Sequence, residues 1–158
     1  MAKPSTSDGR KVVAENRKAR HDFHILETYE AGLSLVGTEV KSLRGGTCTL
    51  TESWVRVENG EVWITGMHIP PYGHGNIHNH EPVRDRRLLL HRREITQLHE
   101  HVSRKGNTLV ALSVYFTRGR AKLLIGVARG KQRIDKRNAI TDRDVKRQLE
   151  REFKLRVR

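Results

Sequence analysis

Cysteine is nearly absent: among 158 residues only Cys48 is present, which excludes an internal disulfide framework and a thiolate metal cage and suits a reducing compartment. Long apolar runs are missing as well. The longest stretch free of Asp, Glu, Lys, Arg and His is Gly106 to Thr117, 12 residues, short of the roughly 20 that a membrane-spanning helix needs. Met1 to Arg20 lacks the apolar segment of a secretory signal, so a cytoplasmic protein with no membrane partner is expected. Acidic side chains are in deficit, 18 against 31 basic, leaving a net charge of +13. Enzyme signatures are lacking too: no glycine-rich phosphate loop with a lysine, no nucleophile elbow and no Asp-Glu-Lys cluster of phosphodiesterase type.

What remains is one domain's worth of chain with an uneven charge distribution. Residues 1 to 20 carry +4 and residues 129 to 158 carry +7, whereas the 108 residues between them carry only +2. The expected organisation is therefore a basic N-terminal arm over 1–20, a globular body over 21–128 and a basic tail over 129–158. Self-repelling tails call for a polyanion, and nucleic acid rewards Lys and Arg on its phosphates through counterion release.

In the body, Ser53–Glu58 and Glu61–Thr65 flank Asn59-Gly60, the pair that best tolerates positive φ at both turn positions, and predict a hairpin. A second hairpin is expected where Leu109–Thr117 meets Ala121–Ala128 across Arg118-Gly119-Arg120. Phe23–Leu26 and Leu33–Val36 read as two strand pieces joined by a bend, and Thr38–Arg44 as a helix start. Leu88, Ile95, Leu98 and Val102 recur at helical spacing before Gly106, which predicts a helix over Leu88–Val102. The fold class expected is mostly β with two or three helices: a small antiparallel Greek-key barrel, OB-like, with largely disordered basic tails.

Arg84, Arg86 and Arg87 fall near the start of that expected helix, where cations oppose the macrodipole, so an anionic partner explains them better than stability does. In the tail, Thr141 and Asp144 suggest a capped helix start with Val145, Leu149 and Phe153 as a thin apolar stripe. Arg143, Arg147 and Arg151 repel one another at steps of four, so the tail is expected to order only along a phosphate lane. His74, His78 and His80 lie close enough to share an ion, but without the ligand spacing of zinc sites no metal and no other cofactor is expected. Glu27, Glu30, Glu39 and His21 could be arranged into a hydrolase centre, and spacing alone does not exclude it; with the motif set lacking, no catalytic residue is assigned.

Five ordered segments, Asn16-Arg17-Lys18-Ala19-Arg20-His21-Asp22, Tyr29-Glu30-Ala31-Gly32, Gly37 to Arg44 (with Lys41 and Arg44), Leu88 to Glu94 and Gly126 to Lys131, resemble the small protein B family, the SsrA-binding proteins that accompany transfer-messenger RNA in bacterial ribosome rescue. The resemblance runs from about Asn16 to the tail. It implies an oligonucleotide-binding barrel that grips the tRNA-like domain of transfer-messenger RNA, with Asn16, Arg17, Arg20, Glu30, Leu89 and His91 on the RNA face, joined by His21, Lys41, Arg44, Arg84, Arg86, Arg87 and Lys131. It further implies that Asp135-Lys136-Arg137, followed by Arg143, Arg147 and Arg151, enters the empty mRNA channel near the decoding centre, on 16S ribosomal RNA of a stalled 70S ribosome. Many family members carry His or Tyr before the Asp-Lys-Arg signature, where this chain has Ile134. Elongation factor Tu with GTP is the implied partner through the charged RNA, and the protein is expected to act as a monomer without catalysis of its own.

Overall fold

In the computed structural model, residues 9–46, 48–73, 79–131 and 133–156 are described, with 133–136 as backbone alone. The elements in chain order are β1 (Lys11–Glu15), α1 (Arg17–Asp22), β2 (Phe23–Leu33), α2 (Gly37–Arg44), β3 (Trp54–Glu58), β4 (Glu61–Thr65), β5 (Arg86–Leu89), α3 (Arg92–Ser103), β6 (Asn107–Thr117), β7 (Arg120–Gly130) and α4 (Arg133–Arg156).

Two tight turns organise the sheet. Asn59 and Gly60 take φ of 50° and 74°, and Arg118 and Gly119 take 52° and 76°, so both hairpins close on two residues with the left-handed backbone that matches strand twist. All pairings are antiparallel, and the order β6-β3-β4-β5-β2-β7 closes back on β6, leaving no open edge in the ring. β2 inserts between β5 and β7, both distant in sequence, as a Greek-key connection requires. β1 adds to β6 beyond the point where β3 leaves it.

Inside the ring, Val62, Ile64, Leu88, Leu109, Leu123 and Ile125 form the core, and Leu98 of α3 and Leu43 of α2 pack into it. A second, smaller core lies outside the barrel wall, where Ala19 of α1 covers Val110, Leu112 and Ala128. Gly126 makes this possible: a Cβ there would come within 2.9 Å of Leu112 Cδ1. Asn16 fixes α1 in place, accepting the Ala19 N–H at 3.1 Å while its amide donates to the carbonyls of Ala111 (3.0 Å) and Leu50 (3.3 Å).

The barrel expected from sequence is present, with differences of physical origin. Helices number four among the described residues. Strand β2 is continuous through Gly32, which pairs with Leu89 on one side and Lys122 on the other, so the glycine marks close strand approach rather than a bend. The helix expected from Leu88 begins at Arg92, because Arg86 and Leu88 point inward and Arg87 and Leu89 outward, a strand's period of two. From Lys11 onward the N-terminal arm belongs to the body, as β1 and α1. The tail is one helix from Arg133 rather than a disordered segment. Thr141 is no cap, since its hydroxyl donates to the Arg137 carbonyl one turn back. The repulsive ladder Arg143-Arg147-Arg151 is offset by Asp142 with Lys146, Glu150 with Lys154 and Glu152 with Arg156, each at the favourable acid-first spacing of four.

One buried ion cluster ties α2 to the barrel. Glu39 is fully buried and accepts from Arg84 Nε (2.6 Å), Arg84 Nη2 (2.8 Å) and Arg86 Nε (2.9 Å), as well as from the backbone N–H of Val36 (3.1 Å). Arg86, also fully buried, donates onward to the carbonyls of Met67 (2.6 Å) and Pro82 (3.0 Å). Burial alone would raise the Glu39 pKa; the Arg84 hydrogen bonds, the Arg86 charge and the Val36 N–H outweigh it and hold the carboxyl below its ordinary 4.5. A folded pKa below the unfolded one contributes stability above pH 4.5 that is lost as pH falls through the folded value. Glu39→Gln is therefore expected to lower unfolding free energy by about 3–5 kcal/mol, because it leaves Arg86 buried without its counter-charge. Denaturant titrations at neutral pH and at pH 3 check this, with the difference between the two proteins shrinking in acid.

Candidate nucleic-acid interface

On β2, Ala31 and Leu33 face the core, which turns Glu30 outward. Beside it stands Leu89 of β5, brought close because Gly32 has no side chain: a Cβ there would lie 3.3 Å from that of Leu89. Leu89 is an exposed leucine, 53 % accessible, and His91 follows it as the extended residue that precedes α3. Glu30, Leu89 and His91 thus line one groove of about 530 Å³ together with Tyr29, Glu94 and Lys122. A second groove of about 600 Å³ shares Glu30 and Lys122 and adds Arg10, Arg118 and Arg120. Four cations consequently surround one carboxylate.

That carboxylate is held. The Tyr115 hydroxyl donates to Glu30 Oε2, and Arg10 Nη2 stands 3.6 Å from the same oxygen, with its guanidinium carbon 5.1 Å from the Tyr115 ring centre. Burial, reinforced by Glu30, pushes the Tyr115 phenol well above its usual range, so it remains a protonated donor. Arg10, Tyr115, Arg118, Arg120 and Lys122 escaped sequence reasoning, although the Arg-Gly-Arg turn at a hairpin tip was a readable signal.

The other expected contacts divide by location. Arg17 and Arg20 are exposed on α1, and His21 pairs with Asp22 at 3.0 Å. Lys131, at the root of α4, donates its backbone N–H to the Asp22 carbonyl at 2.9 Å and reaches the Arg20 carbonyl with Nζ at 3.5 Å, so the tail departs from the end of α1. Lys41 and Arg44 are exposed on α2, Lys41 standing 5.6 Å from the Tyr72 ring centre. Arg87 is exposed on β5 and lies 3.3 Å from Glu61. Arg137, Arg143, Arg147 and Arg151 are exposed along α4, while the side chains of Asp135 and Lys136 lie outside the described residues.

Three of the residues expected at RNA have structural partners within the fold. Arg86 has no accessible surface, and Arg84 grips Glu39 with two nitrogens. Asn16 is buried as the cap of α1. The macrodipole argument fails for Arg84 and Arg86 because their segment precedes a strand and enters it, so they do not open α3, and at the start of α2 they are neutralised by Glu39.

The groups weighed for hydrolysis are held apart by separate partners. Glu39 belongs to the buried cluster and Glu30 to Tyr115. Glu27 accepts from Tyr29 and bonds His101, each at 2.9 Å, and the Tyr29 hydrogen bond holds its carboxyl low. Burial, with Glu27, pushes Tyr29 up to about 12. Of the three histidines considered for metal, His74 and His78 lie outside the described residues. His80 has both ring nitrogens engaged, by Thr38 and the Ile69 carbonyl. Among the described residues no group of three His, Cys, Asp or Glu side chains could hold a metal ion, and no helix is long and apolar enough to cross a membrane.

A closed antiparallel barrel of OB-like class, with a basic groove around a fixed carboxylate, defines a polyanion-binding module. A family model described as SmpB protein matches residues 13–155. The SsrA-binding protein of Thermobifida fusca is 51 % identical, covering 98 % of this chain and 96 % of that protein. The SsrA-binding protein of Caldanaerobacter subterraneus subsp. tengcongensis is 56 % identical over 91 % of each. A solved chain from "tmRNA-SmpB: a journey to the center of the bacterial ribosome" matches with a TM-score of 0.65 and 51 % identity, covering 81 % of this chain and 94 % of that one. The chain belongs to the SmpB family.

Exposed cations and buried structural groups separate experimentally. Arg118→Glu with Arg120→Glu should leave unfolding free energy within about 0.5 kcal/mol and weaken RNA binding, with the slope of log K against log salt falling by about 0.7–0.9 for each phosphate no longer neutralised. Asn16→Ala should instead cost about 1–3 kcal/mol of stability, because the cap and the buried amide bonds disappear with the side chain. Salt-titrated RNA binding and denaturant titration on the same samples check both.

Proposed function

We propose that this protein is the RNA-binding factor of trans-translation: it binds the tRNA-like domain of transfer-messenger RNA and delivers it to stalled ribosomes, where the C-terminal tail probes the empty mRNA channel. The observation that carries this reading is the convergence of Glu30 with Leu89 and His91, about sixty positions further along the chain, in one groove bordered by cations. Family membership supports it, since the relatives are SsrA-binding proteins and the solved neighbour comes from tmRNA-SmpB on the bacterial ribosome.

On this reading the barrel and the tail divide the work. The barrel grips RNA through Glu30, Leu89, His91 and Arg87, with Arg17, Arg20, His21 and Lys131 on α1 and the tail root, and Lys41 and Arg44 on α2. The tail carries Asp135-Lys136-Arg137 to the decoding centre and lays Arg143, Arg147 and Arg151 along 16S ribosomal RNA. The protein works as a cytoplasmic monomer, elongation factor Tu with GTP joins through the charged RNA, and reaction chemistry belongs to that factor and to the ribosome. A strongly basic helix leaving a body of lower charge density supports this division.

A chain ending at Ile134 should bind transfer-messenger RNA within about twofold of the full chain at fixed salt, yet fail to rescue stalled ribosomes in a reconstituted translation assay. Full rescue by the truncated chain would make the tail a solvated appendage. Replacing Asp135, Lys136 and Arg137 together by Ala should match the truncation if the signature itself is read, and give partial rescue if helix charge alone matters.

A further inference from the structure

A carboxylate at the centre of a basic RNA-binding surface needs a reason, because it repels phosphate and weakens the field that attracts the polyanion. Its placement supplies one. Glu30 is exposed and lines both grooves, but it is not free to turn: Tyr115, only 3 % accessible, donates to Oε2 from within the wall, and Arg10 stacks on the Tyr115 ring while approaching the same oxygen. Both anchors use Oε2. Among the described residues Oε1 has no partner, which leaves its lone pairs available to a ligand in the grooves.

Resting on the RNA-binding reading above, we propose that Tyr115 and Arg10 are positioning residues that present Glu30 to the Watson–Crick edge of one unpaired guanine, whose backbone phosphate lies on Arg118, Arg120 and Lys122. The choice of base follows from donor geometry. An ionised carboxylate only accepts hydrogen bonds, so it favours an edge that offers two adjacent donors over edges whose one donor group stands next to acceptors alone. Guanine offers N1–H and the N2 amino group side by side. Adenine and cytosine set a ring-nitrogen acceptor next to their amino group, and uracil sets its single N–H between two carbonyls. Unpaired bases are the usual targets of sequence-specific RNA readers because their Watson–Crick edges are open, and Leu89 and His91 beside Glu30 supply an apolar and a planar surface for such a base. The neighbouring cations then have a separate task, since phosphate contacts position the strand while the carboxylate reads it.

The test uses the full chain and the tRNA-like domain RNA synthesised with inosine replacing guanine at each unpaired position in turn. Inosine lacks only the N2 amino group. One replacement is expected to weaken binding of the unaltered protein by about tenfold, the effect of a hydrogen bond to a charged group. In Tyr115→Phe, which keeps the ring under Arg10 and removes the hydroxyl, the guanine-to-inosine affinity ratio at that position should fall to within about twofold of one, and Glu30→Gln should do the same. Arg118→Ala with Arg120→Ala should weaken both RNAs alike and keep the ratio. Thermal unfolding accompanies each variant, and Arg10→Ala serves as the second positioning variant should Tyr115→Phe not fold. If no inosine replacement weakens binding of the unaltered protein, the base assignment is overturned while RNA binding stands. A ratio that survives in Tyr115→Phe or Arg10→Ala but vanishes in Glu30→Gln overturns the positioning role. If the unaltered protein does not bind the unmodified RNA, it is the RNA-binding reading itself that fails.

Discussion

The register of β5 is the constraint on which the interface depends, and the Glu39 cluster sets it. A strand's side chains alternate, so a slip of one residue would exchange its faces: Arg87 and Leu89 would enter the barrel while Arg86 and Leu88 came out. Apolar pattern alone discriminates weakly here, because Arg-Arg-Leu-Leu offers an arginine and a leucine to either face. The choice falls instead to the buried carboxylate, which receives Arg86 in the wall, and to the Met67 and Pro82 carbonyls that take its remaining nitrogens. A buried ion pair is a poor source of net stability compared with apolar packing of similar volume, but an expensive one to leave half made. Its effect here is therefore specification: with Arg86 inside, Leu89 must face outward against Gly32, two positions from Glu30.

What was legible in the sequence were the features with local causes. Both hairpins rest on two-residue turns that need positive φ, and Asn59-Gly60 and Arg118-Gly119 advertise them. The apolar periods of α3 and of the long strands β6 and β7 were equally readable, and the barrel class followed from their number. Features with distant causes were not. Gly32 reads as a breaker until Leu89 is known to lie across from it. Asn16 reads as a polar surface residue until the Leu50 and Ala111 carbonyls are found at its amide. Arg84 and Arg86 read as surplus charge because their partner lies more than forty positions away on α2.

Those arginines show why net charge locates a partner but not its contacts. Within one segment, Arg84 and Arg86 are consumed by Glu39 while Arg87 and the cations of the β6–β7 turn face solvent. Composition counts them alike. What distinguishes them is whether the acceptor is buried, as Glu39 is, or exposed, as Glu61 is beside Arg87, and that is a property of the assembled barrel. The same reasoning inverts for acids: Glu30, which arithmetic subtracts from an RNA-binding surface, is a polar group the structure anchors within it.

The tail illustrates the opposite regime. α4 exposes Val145, Leu149 and Phe153 along with its arginines, and the support its own sequence offers is the spacing of acids four residues ahead of bases along its surface. Each such pair contributes only about 0.2–0.5 kcal/mol and is screened by salt. A helix of that kind keeps its shape weakly and its charge permanently, which suits a segment whose final conformation is set by a surface other than its own barrel. Lys131 joins the two regimes, clasping the end of α1 by backbone and side chain, so the point at which the tail leaves the body is fixed, while the described apolar side chains of α4 beyond it are exposed. A rigid body that specifies and a charged arm that adapts are thus consequences of where the apolar residues were placed, since the barrel holds the two apolar cores and leaves the tail only a thin stripe.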